Sequence, residues 1–242
     1  MNANTPKCAI VTGSSQGIGA GVVKAFLDRG YNVVANSRNI TRRTPFPPSA
    51  HLALVDGDIG APQTAAAIVD TAVTRFGRID VLVNNAGIFI PKPFTEYTVE
   101  DFNALVSTIL GGFLFVSQLS AKQMLKQKSG CIINISTSLV EQPNADVNAA
   151  VQIMMKGALN AVTRALAIEY ANDGIRVNTV APGVIDTPMH QPDTHESLKG
   201  LHPLGRIGTV SEIVDAVLFL TDATFTTGEI LHVDGGAHAG KW

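Results

Sequence analysis

A glycine-rich run near the amino end has the composition and spacing of a phosphate-binding turn. Gly13, Gly17 and Gly19 fall within residues 12–19, which follow an apolar run and precede a helical pattern. Glycines permit a tight turn and let backbone N–H groups approach a pyrophosphate. The helix amino terminus adds a partial positive charge. A glycine cluster alone is weak evidence, but its position between a strand and a helix predicts a dinucleotide site.

The end of the second apolar run carries the residues that would select between dinucleotides. Ser37 and Arg38 stand there, and neither is an acid. A carboxylate would accept hydrogen bonds from the ribose hydroxyls and repel a 2′-phosphate, whereas a guanidinium bonds to a phosphate. Arg42 and Arg43 follow closely, although solvated loop residues would give the same pattern. We therefore expect a preference for NADP(H) over NAD(H).

Short apolar runs alternate with longer helical patterns along the chain. The short runs are continuously apolar, as expected of strands covered on both faces. This alternation predicts an α/β fold, a doubly wound parallel sheet of about seven strands. With no linker or repeat, residues 1–242 are expected to form a single domain. The strand runs are 8–11, 32–35, 52–55, 81–83, 131–135, 175–178 and 230–233, and the helical patterns are 17–28, 62–76, about 99–127, about 146–172, and one from Thr209, which has capping-box spacing to Glu212.

One connection in this alternation is unusual. Only residues 39–51 join the second and third strand runs, and Pro45, Pro47 and Pro48 exclude a regular helix there. A parallel crossover needs about a dozen residues, so this one is barely long enough. We expect an irregular strap.

Several motifs, in order, resemble those of the short-chain dehydrogenase/reductase family. The glycine run matches its T-G-x-x-x-G-x-G pattern rather than the common G-x-G-x-x-G. Residues 84–87, Asn-Asn-Ala-Gly, are similar to its N-N-A-G, and residues 181–189 are similar to its P-G segment. Residues 202–208 and 233–236 resemble its carboxyl-terminal signatures. The resemblance covers nearly the whole chain and implies a Rossmann-like fold with NAD(P)-dependent oxidoreductase activity.

The resemblance also implies which residues bind the cofactor. Asp58 would meet the adenine, although a solvated aspartate at a strand end would look the same. Lys156 would bind the nicotinamide ribose, and Arg38 would face the 2′-phosphate. The pyrophosphate would be lined by Gly13, Ser15, Ile18 and Gly19, the adenosine side by Asn85, Ala86 and Gly87, and the nicotinamide by Pro182, Gly183, Ile185 and Thr187.

The family usually carries Asn, Ser, Tyr and Lys as its catalytic set, and this sequence departs from it. Lys156 fits the Lys position, but Gln152 stands four residues earlier, where Tyr is expected. That spacing leaves both side chains on one helix face, yet an amide has no titratable proton. The Ser position falls at Thr137 or Ser138, with the choice open, and the Asn position at Thr108. The interval to Gln152 is slightly long, so an atypical loop is expected there, and the tyrosines do not match the motif: Tyr31, Tyr97 and Tyr170.

Two functions remain open, with Lys156, Ser138 and Gln152 as the candidate catalytic residues. The first is an active but divergent oxidoreductase that uses another proton donor: Lys156 with a lowered pKa, a water, or a histidine. The second is a catalytically inactive NADP(H)-binding sensor or partner subunit. We favour the oxidoreductase. The segment from Thr187 to Leu204 gives no substrate signature, and its histidines are more simply explained as solvent-exposed loop residues: His190, His195 and His202.

Composition narrows the partners and the location. A net charge of −2 and a pI near 6.3 give no basic field, so nucleic acid is not expected. No apolar run approaches the length of a membrane span, and the amino end lacks a signal-peptide pattern, so we expect a cytoplasmic protein with no membrane partner. Cys8 and Cys131 lie in strand runs and are expected to be buried, reduced thiols, with no metal site.

The long helical patterns suggest an assembly. Residues 99–127 and 146–172 match the helices through which family members commonly pair, although a helix packed only on its own sheet would look similar. We therefore expect a homo-oligomer, a dimer or a tetramer, acting on a small molecule.

Overall fold

The computed structural model describes residues 5–190 and 195–240 and contains a seven-stranded parallel sheet. The strand order is β3-β2-β1-β4-β5-β6-β7, so the chain builds outward from β1 in one direction and then from β4 in the other. The doubly wound sheet expected from the sequence is confirmed. The strands are β1 Cys8–Thr12, β2 Asn32–Ser37, β3 Leu52–Asp56, β4 Val81–Asn84, β5 Gly130–Ile135, β6 Ile175–Pro182 and β7 Ile230–Val233.

Seven α-helices connect the strands within the described residues. Gly77 ends one helix in the left-handed region, and Thr209 and Glu212 form on another the capping box that their spacing predicts. The predicted helix 146–172 begins only at Ala150. The helices are α1 Gly17–Asp28, α2 Pro62–Phe76, α3 Val99–Leu105, α4 Gly112–Gln127, α5 Ala150–Glu169, α6 His195–Lys199 and α7 Val210–Asp222.

Neighbouring residues of each strand pack on opposite faces of the sheet. Val11 belongs to a cluster with helices α1 and α7, whereas Ile10 belongs to a cluster with α2 and α4. Both faces are therefore covered, which is why the strand runs are continuously apolar. All strands are parallel, so their carboxyl ends share one edge of the sheet. Successive strands are added on one side of β1 and then, from β4 onward, on the other side, and ligands bind α/β sheets at such switch points.

The connection between β2 and β3 is an irregular strap, as the sequence predicts. No helix lies between Ser37 and Leu52. Ile40 is fully buried and Phe46 packs against the core cluster of α1 and α7. These two apolar side chains thus cover the part of the core that a crossover helix would otherwise cover.

The two cysteines are free and buried, as expected. Burial raises the pKa of the Cys8 thiol to about 12 and that of Cys131 to about 11. Both thiols are therefore protonated at neutral pH and have little nucleophilic character.

Residues Val99–Gln127 form one continuous helical segment made of α3, a π-helical turn at Val106–Gly111, and α4. The segment is long and apolar enough to cross a membrane, so the expectation that no apolar run reaches this length is wrong. Core helices of soluble proteins meet the same criterion, and 44% of its most apolar window is buried. Leu114 is among the residues left exposed on this segment.

Candidate active site

A cavity of about 750 Å³ opens at the carboxyl edge of the sheet. The glycine turn between β1 and α1 forms one wall, and the turn after β4 forms the next. Residues following β5 and β6 and one face of α5 complete it. The cavity therefore lies where the strand order reverses, at the usual ligand position of such sheets.

The glycine turn lies directly against the turn after β4. Gly13 has a φ of +65°, and a Cβ there would lie 2.7 Å from the Ala86 Cα. A Cβ on Gly19 would lie 2.4 Å from the Gly13 carbonyl oxygen. No side chain fits at either position, so the sequence pattern reflects a steric requirement and leaves the turn backbone open to the cavity.

Thr12 and Asn85 fix these two turns to each other. The Thr12 Oγ1 accepts hydrogen bonds from the backbone N–H groups of Asn85 and Ala86, both at 3.1 Å. The Asn85 Nδ2 donates in return to the carbonyl oxygens of Thr12 and Gly13, at 2.9 and 3.0 Å. The sequence pointed to Asn85 as a binding residue, but this structural role was missed because it depends on a pairing 73 residues apart.

Most of the predicted cofactor residues come together in this cavity. Three do not line it. Ser15 is half-buried beside it, Arg38 is exposed at the end of β2, and Asp58 is exposed with its Oδ1 accepting from the Gly60 N–H at 2.9 Å. The predicted residues that do line it are Gly13, Ile18, Gly19, Asn85, Ala86, Gly87, Lys156, Pro182, Gly183, Ile185 and Thr187.

The carboxylate paired with the last residue of β2 is already hydrogen-bonded. Asp56 pairs with Ser37 across the β2–β3 register. Its two carboxylate oxygens accept from the backbone N–H and the hydroxyl of Thr41, which lowers the pKa of Asp56. Asp56 thus anchors the strap, and Arg38 remains the exposed charged side chain that directly follows β2.

Lys156 lies buried on α5 with its amine in the cavity wall. Its Nζ donates to the Ile135 carbonyl oxygen at 2.6 Å, and burial lowers the pKa of Lys156 to about 8. The Ser136 hydroxyl donates to the Lys156 carbonyl oxygen at 3.3 Å. The result is an amine that exchanges a proton near neutral pH at the edge of the sheet.

Gln152 occupies the cavity wall one turn before Lys156. Its Nε2 donates to the Ile88 carbonyl oxygen at 2.6 Å, and its Oε1 is buried with no partner among the described residues. A carboxamide has neither a proton to give nor a site to take one at neutral pH. Gln152 therefore links α5 to the turn after β4 and contributes no acid.

Thr137 and Ser138 both line the cavity, so the open choice between them stays open. The Thr137 Oγ1 accepts from the Leu139 N–H at 3.4 Å and caps a short 3₁₀ turn, whereas Ser138 is buried. Thr108 lies in the π-helical turn and does not line the cavity. The loop 142–147 that follows also forms part of the wall, and nothing in the sequence assigned it a role beyond its unusual length.

The histidines of the segment after Thr187 differ from one another. His190 is half-buried and lines the cavity. His195 begins α6, and its side chain lies outside the described residues. His202 is 4% exposed and its Nε2 accepts from the Val184 N–H at 2.9 Å. The expectation of solvent-exposed loop histidines is therefore wrong for His202, because packing against Gly183 buries its ring.

None of the three tyrosines lines the cavity in the described part of the chain. The Tyr97 hydroxyl donates to the Ile90 carbonyl oxygen at 2.7 Å, and Tyr31 packs on Phe26. No tyrosine from another part of the described chain therefore replaces the one that is missing at position 152.

A buried polar network, which the sequence did not indicate, fixes α4 and α5 to the sheet beside the cavity. The Asn84 Nδ2 donates to the Ser117 hydroxyl and to the side-chain Oδ1 of Asn134, each at 2.9 Å. Asn134 donates to the Thr163 hydroxyl at 2.9 Å, which lies 2.8 Å from the Thr179 hydroxyl. These hydrogen bonds tie α4 and α5 to the sheet, and Thr163 lies two turns beyond Lys156 on α5.

Comparison with known proteins places this chain among reductases and dehydrogenases. The family model described as enoyl-(acyl carrier protein) reductase matches residues 13–238. The 3beta-hydroxysteroid dehydrogenase 1 of Eggerthella lenta is 33% identical over 247 residues, 95% of this chain and 93% of that protein.

Two solved structures are closely similar. ElxO with NADP bound has a TM-score of 0.91 and 31% identity, covering 97% of this chain and 100% of that chain. The 3-ketoacyl-(acyl-carrier-protein) reductase from Brucella melitensis, complexed with NADH, has a TM-score of 0.89 and 29% identity, covering 96% of this chain and 98% of that chain.

Replacing Lys156 by Met should stabilise the cofactor-free protein at pH 7. The folded pKa of about 8 lies below the ordinary 10.5, so the unfolded state binds more protons between these values and wild-type stability rises with pH there. Removing the buried charge should raise the free energy of unfolding by up to about 3 kcal/mol, reduced by about 1 kcal/mol because the Ile135 carbonyl loses its donor. Denaturant unfolding from pH 7 to 10.5 measures the difference in stability between Lys156→Met and the wild type, which should become smaller as the pH rises.

The matched control is Lys122→Met, which removes an exposed lysine from α4. It should leave the pH dependence of stability unchanged. Parallel stability curves for the wild type and Lys156→Met would contradict the burial of a titrating amine.

Proposed function

The chain belongs to the short-chain dehydrogenase/reductase family of NAD(P)-dependent oxidoreductases, and we propose that it moves a hydride between NADP(H) and a carbonyl or alcohol substrate. The observation that carries the proposal is the meeting, in one cavity, of an open glycine turn and a buried lysine amine. Residues 1–242 form a single dinucleotide-binding domain in this proposal.

The cavity wall fits a nicotinamide dinucleotide. A side chain at Gly13 or Gly19 would collide with neighbouring backbone, so the turn is built to keep N–H groups accessible to phosphates. When bound, the nicotinamide supplies or accepts the hydride. In the proposal the pyrophosphate lies on Gly13, Ser15, Ile18 and Gly19, the adenine near Asp58, the adenosine side on Asn85, Ala86 and Gly87, and the nicotinamide on Pro182, Gly183, Ile185 and Thr187, with Lys156 on its ribose.

The preference for NADP(H) rests on the charge at the end of β2. Arg38 is exposed there, and the neighbouring carboxylate of Asp56 is already bonded to Thr41. A 2′-phosphate would thus meet a guanidinium rather than a free acid. Similar structures hold NADP in one case and NADH in another, so the family alone does not decide.

We infer that Lys156 supplies the proton that a tyrosine would otherwise carry. Its lowered pKa of about 8 makes it an acid matched to neutral pH. Gln152 has no proton to offer, and His202 already accepts a backbone hydrogen bond through Nε2. Thr137 or Ser138 would orient the substrate oxygen, since both hydroxyl-bearing residues line the cavity.

A second candidate function is a catalytically inactive NADP(H)-binding sensor or partner subunit. The observation in its favour is the state of Gln152, whose amide is tied to the Ile88 carbonyl oxygen while its Oε1 is buried without a partner. In that case Lys156 would serve only as a ribose ligand.

We also propose a homo-oligomer in the cytoplasm. The outer faces of α4 and α5 expose Leu114, Met154 and Ile168, the last 80% exposed, and a second copy of these helices would cover them. Reduced, buried thiols fit a cytoplasmic location. A monomer mass by light scattering would contradict the assembly.

Gln152→Tyr should raise the rate of NADPH-dependent carbonyl reduction by about 10²–10⁴-fold, because it adds a positioned general acid beside Lys156. Absorbance of NADPH across a panel of ketones, aldehydes and quinones measures the rate. Gln152→Phe is the matched control, since it adds the ring without the hydroxyl, and it should give no increase.

The unmodified protein decides between the two functions in the same assay. Turnover that declines as the pH rises through about 8 supports Lys156 as the proton source. Turnover only in Gln152→Tyr favours the inactive cofactor-binding protein. No binding of either NADPH or NADH contradicts both.

Arg38→Ala should weaken NADPH binding by about tenfold or more while changing NADH affinity little, because it removes one charge-assisted hydrogen bond to the 2′-phosphate. Fluorescence titration with both dinucleotides gives the two dissociation constants. Arg75→Ala, which removes an arginine of α2 whose guanidinium bonds to the carbonyl oxygens of Ser49 and Ala50, serves as the control. Equal losses for NADPH and NADH would overturn the preference.

A further inference from the structure

His202 joins the segment that follows α6 to the loop after β6. The ring is buried, and its Nε2 accepts a hydrogen bond from the Val184 N–H at 2.9 Å. The His202 N–H donates to the Lys199 carbonyl oxygen at the end of α6, and its own carbonyl oxygen accepts from the Gly205 N–H. Val184 lies between Gly183 and Ile185, in the part of the cavity proposed to hold the nicotinamide.

The ring is packed between two glycine backbones. A Cβ on Gly183 would lie 2.5 Å from the His202 Nε2, and a Cβ on Gly235 would lie 3.3 Å from the His202 Cβ. The glycines therefore let the imidazole contact both the loop after β6 and the turn after β7. Movement of either backbone would displace the ring, so the contact couples these two loops with the end of α6.

We propose that His202, in its neutral form, is a positioning residue that holds the Gly183–Val184 backbone in place for the nicotinamide and ties it to α6. The expected effect on cofactor binding rests on the proposed function. The hold, by which we mean the hydrogen bond of His202 to the Val184 N–H and the packing of its ring, is a property of the chain alone.

The neutral form is required by the hydrogen bond. An Nε2 that accepts from a backbone N–H must carry its lone pair, and protonation would turn it into a donor facing another donor. The surroundings do not favour the charged ring: burial is the largest effect and lowers the pKa of His202, and Arg206 lowers it further, against the opposing effects of Asp234 and the Leu198 backbone.

The charged groups around the ring are themselves largely engaged. Asp234 accepts from the backbone N–H of His238 at 2.8 Å and contacts its ring nitrogen at 2.9 Å. Arg206 pairs with Glu212. His232 stacks on His238 with ring centroids 3.8 Å apart, and its pKa is lowered by burial and by His238. Asp234, the carboxylate that favours protonation of His202, is thus shared with His238, and burial of the ring outweighs its effect.

The sign of the pH effect follows. Because the folded pKa lies below the ordinary 6.5, the hold is complete above pH 6.5 and is lost as acid protonates the ring. NADPH affinity should therefore decline in mild acid, because protonation of His202 in the free protein releases the backbone proposed to hold the nicotinamide.

The test compares His202→Gln with His202→Leu. Glutamine places an oxygen acceptor as many bonds from the backbone as Nε2 and does not titrate, whereas leucine fills the space without an acceptor. Hydrogen exchange of the Val184 amide, corrected for intrinsic rates, and NADPH affinity by fluorescence are measured from about pH 5 to pH 8. His51→Gln, at an exposed histidine outside the cavity, is the control.

We expect His202→Leu to lose about tenfold in both Val184 protection and NADPH affinity. His202→Gln should keep both within about threefold at neutral pH and remove the decline of Val184 protection in acid. Unchanged Val184 protection in His202→Leu, or a decline of Val184 protection in acid that persists in His202→Gln, would overturn the inference. If His202→Leu does not fold, the comparison of Val184 protection in acid between the wild type and His202→Gln decides alone.

The same data separate this inference from the proposed function. If the wild type binds neither NADPH nor NADH while Val184 protection still falls in acid, the proposed function is contradicted and the positioning role of His202 is supported. If the cofactor binds and Val184 protection depends neither on pH nor on His202, the positioning role is contradicted and the proposed function stands.

Discussion

The close contact between the turn after β1 and the turn after β4 is the constraint on which the site depends. Parallel strands bring their carboxyl ends to one edge, and the reversal of strand order leaves a gap there. Thr12 and Asn85 close part of that gap by four hydrogen bonds between the two turns. Only glycine fits at positions 13 and 19 once the turns are so close. The open backbone of the cavity wall is therefore a result of packing as much as of ligand binding.

The second determinant is a charge buried by that architecture. α5 carries Lys156 into the wall, where the Ile135 carbonyl oxygen is its hydrogen-bond partner and burial lowers its pKa. A buried ammonium lowers stability, so a buried lysine that lines a cavity is a candidate functional residue. Without a tyrosine at position 152, the amine stands as the titrating group on this face of α5. The polar network through Asn134 and Thr163 keeps the helix in register with β5. The fold thus preserves the position of the amine even though its usual partner residue is absent.

The sequence predicted those features whose signals are local. Continuous apolar runs indicated buried parallel strands, and the glycine spacing at residues 12–19 indicated the turn at their edge. The three prolines of the strap predicted a crossover without a helix. Contacts between distant residues could not be predicted from the sequence. These are the hydrogen bonds between Thr12 and Asn85 and the burial of His202 against Gly183. A histidine in a polar loop carries no local mark of burial, because the burying surface comes from another part of the chain.

The most direct test of the role proposed for Lys156 is the titration of its ammonium group. Heteronuclear NMR of the lysine side chains, with Lys156→Met used to assign the resonance, gives its pKa with and without NADPH. The pKa of Lys156 should lie near 8 in the free protein and should change clearly on adding NADPH, since the amine lines the proposed ribose site. A pKa near the ordinary 10.5 that does not respond to NADPH would contradict that role.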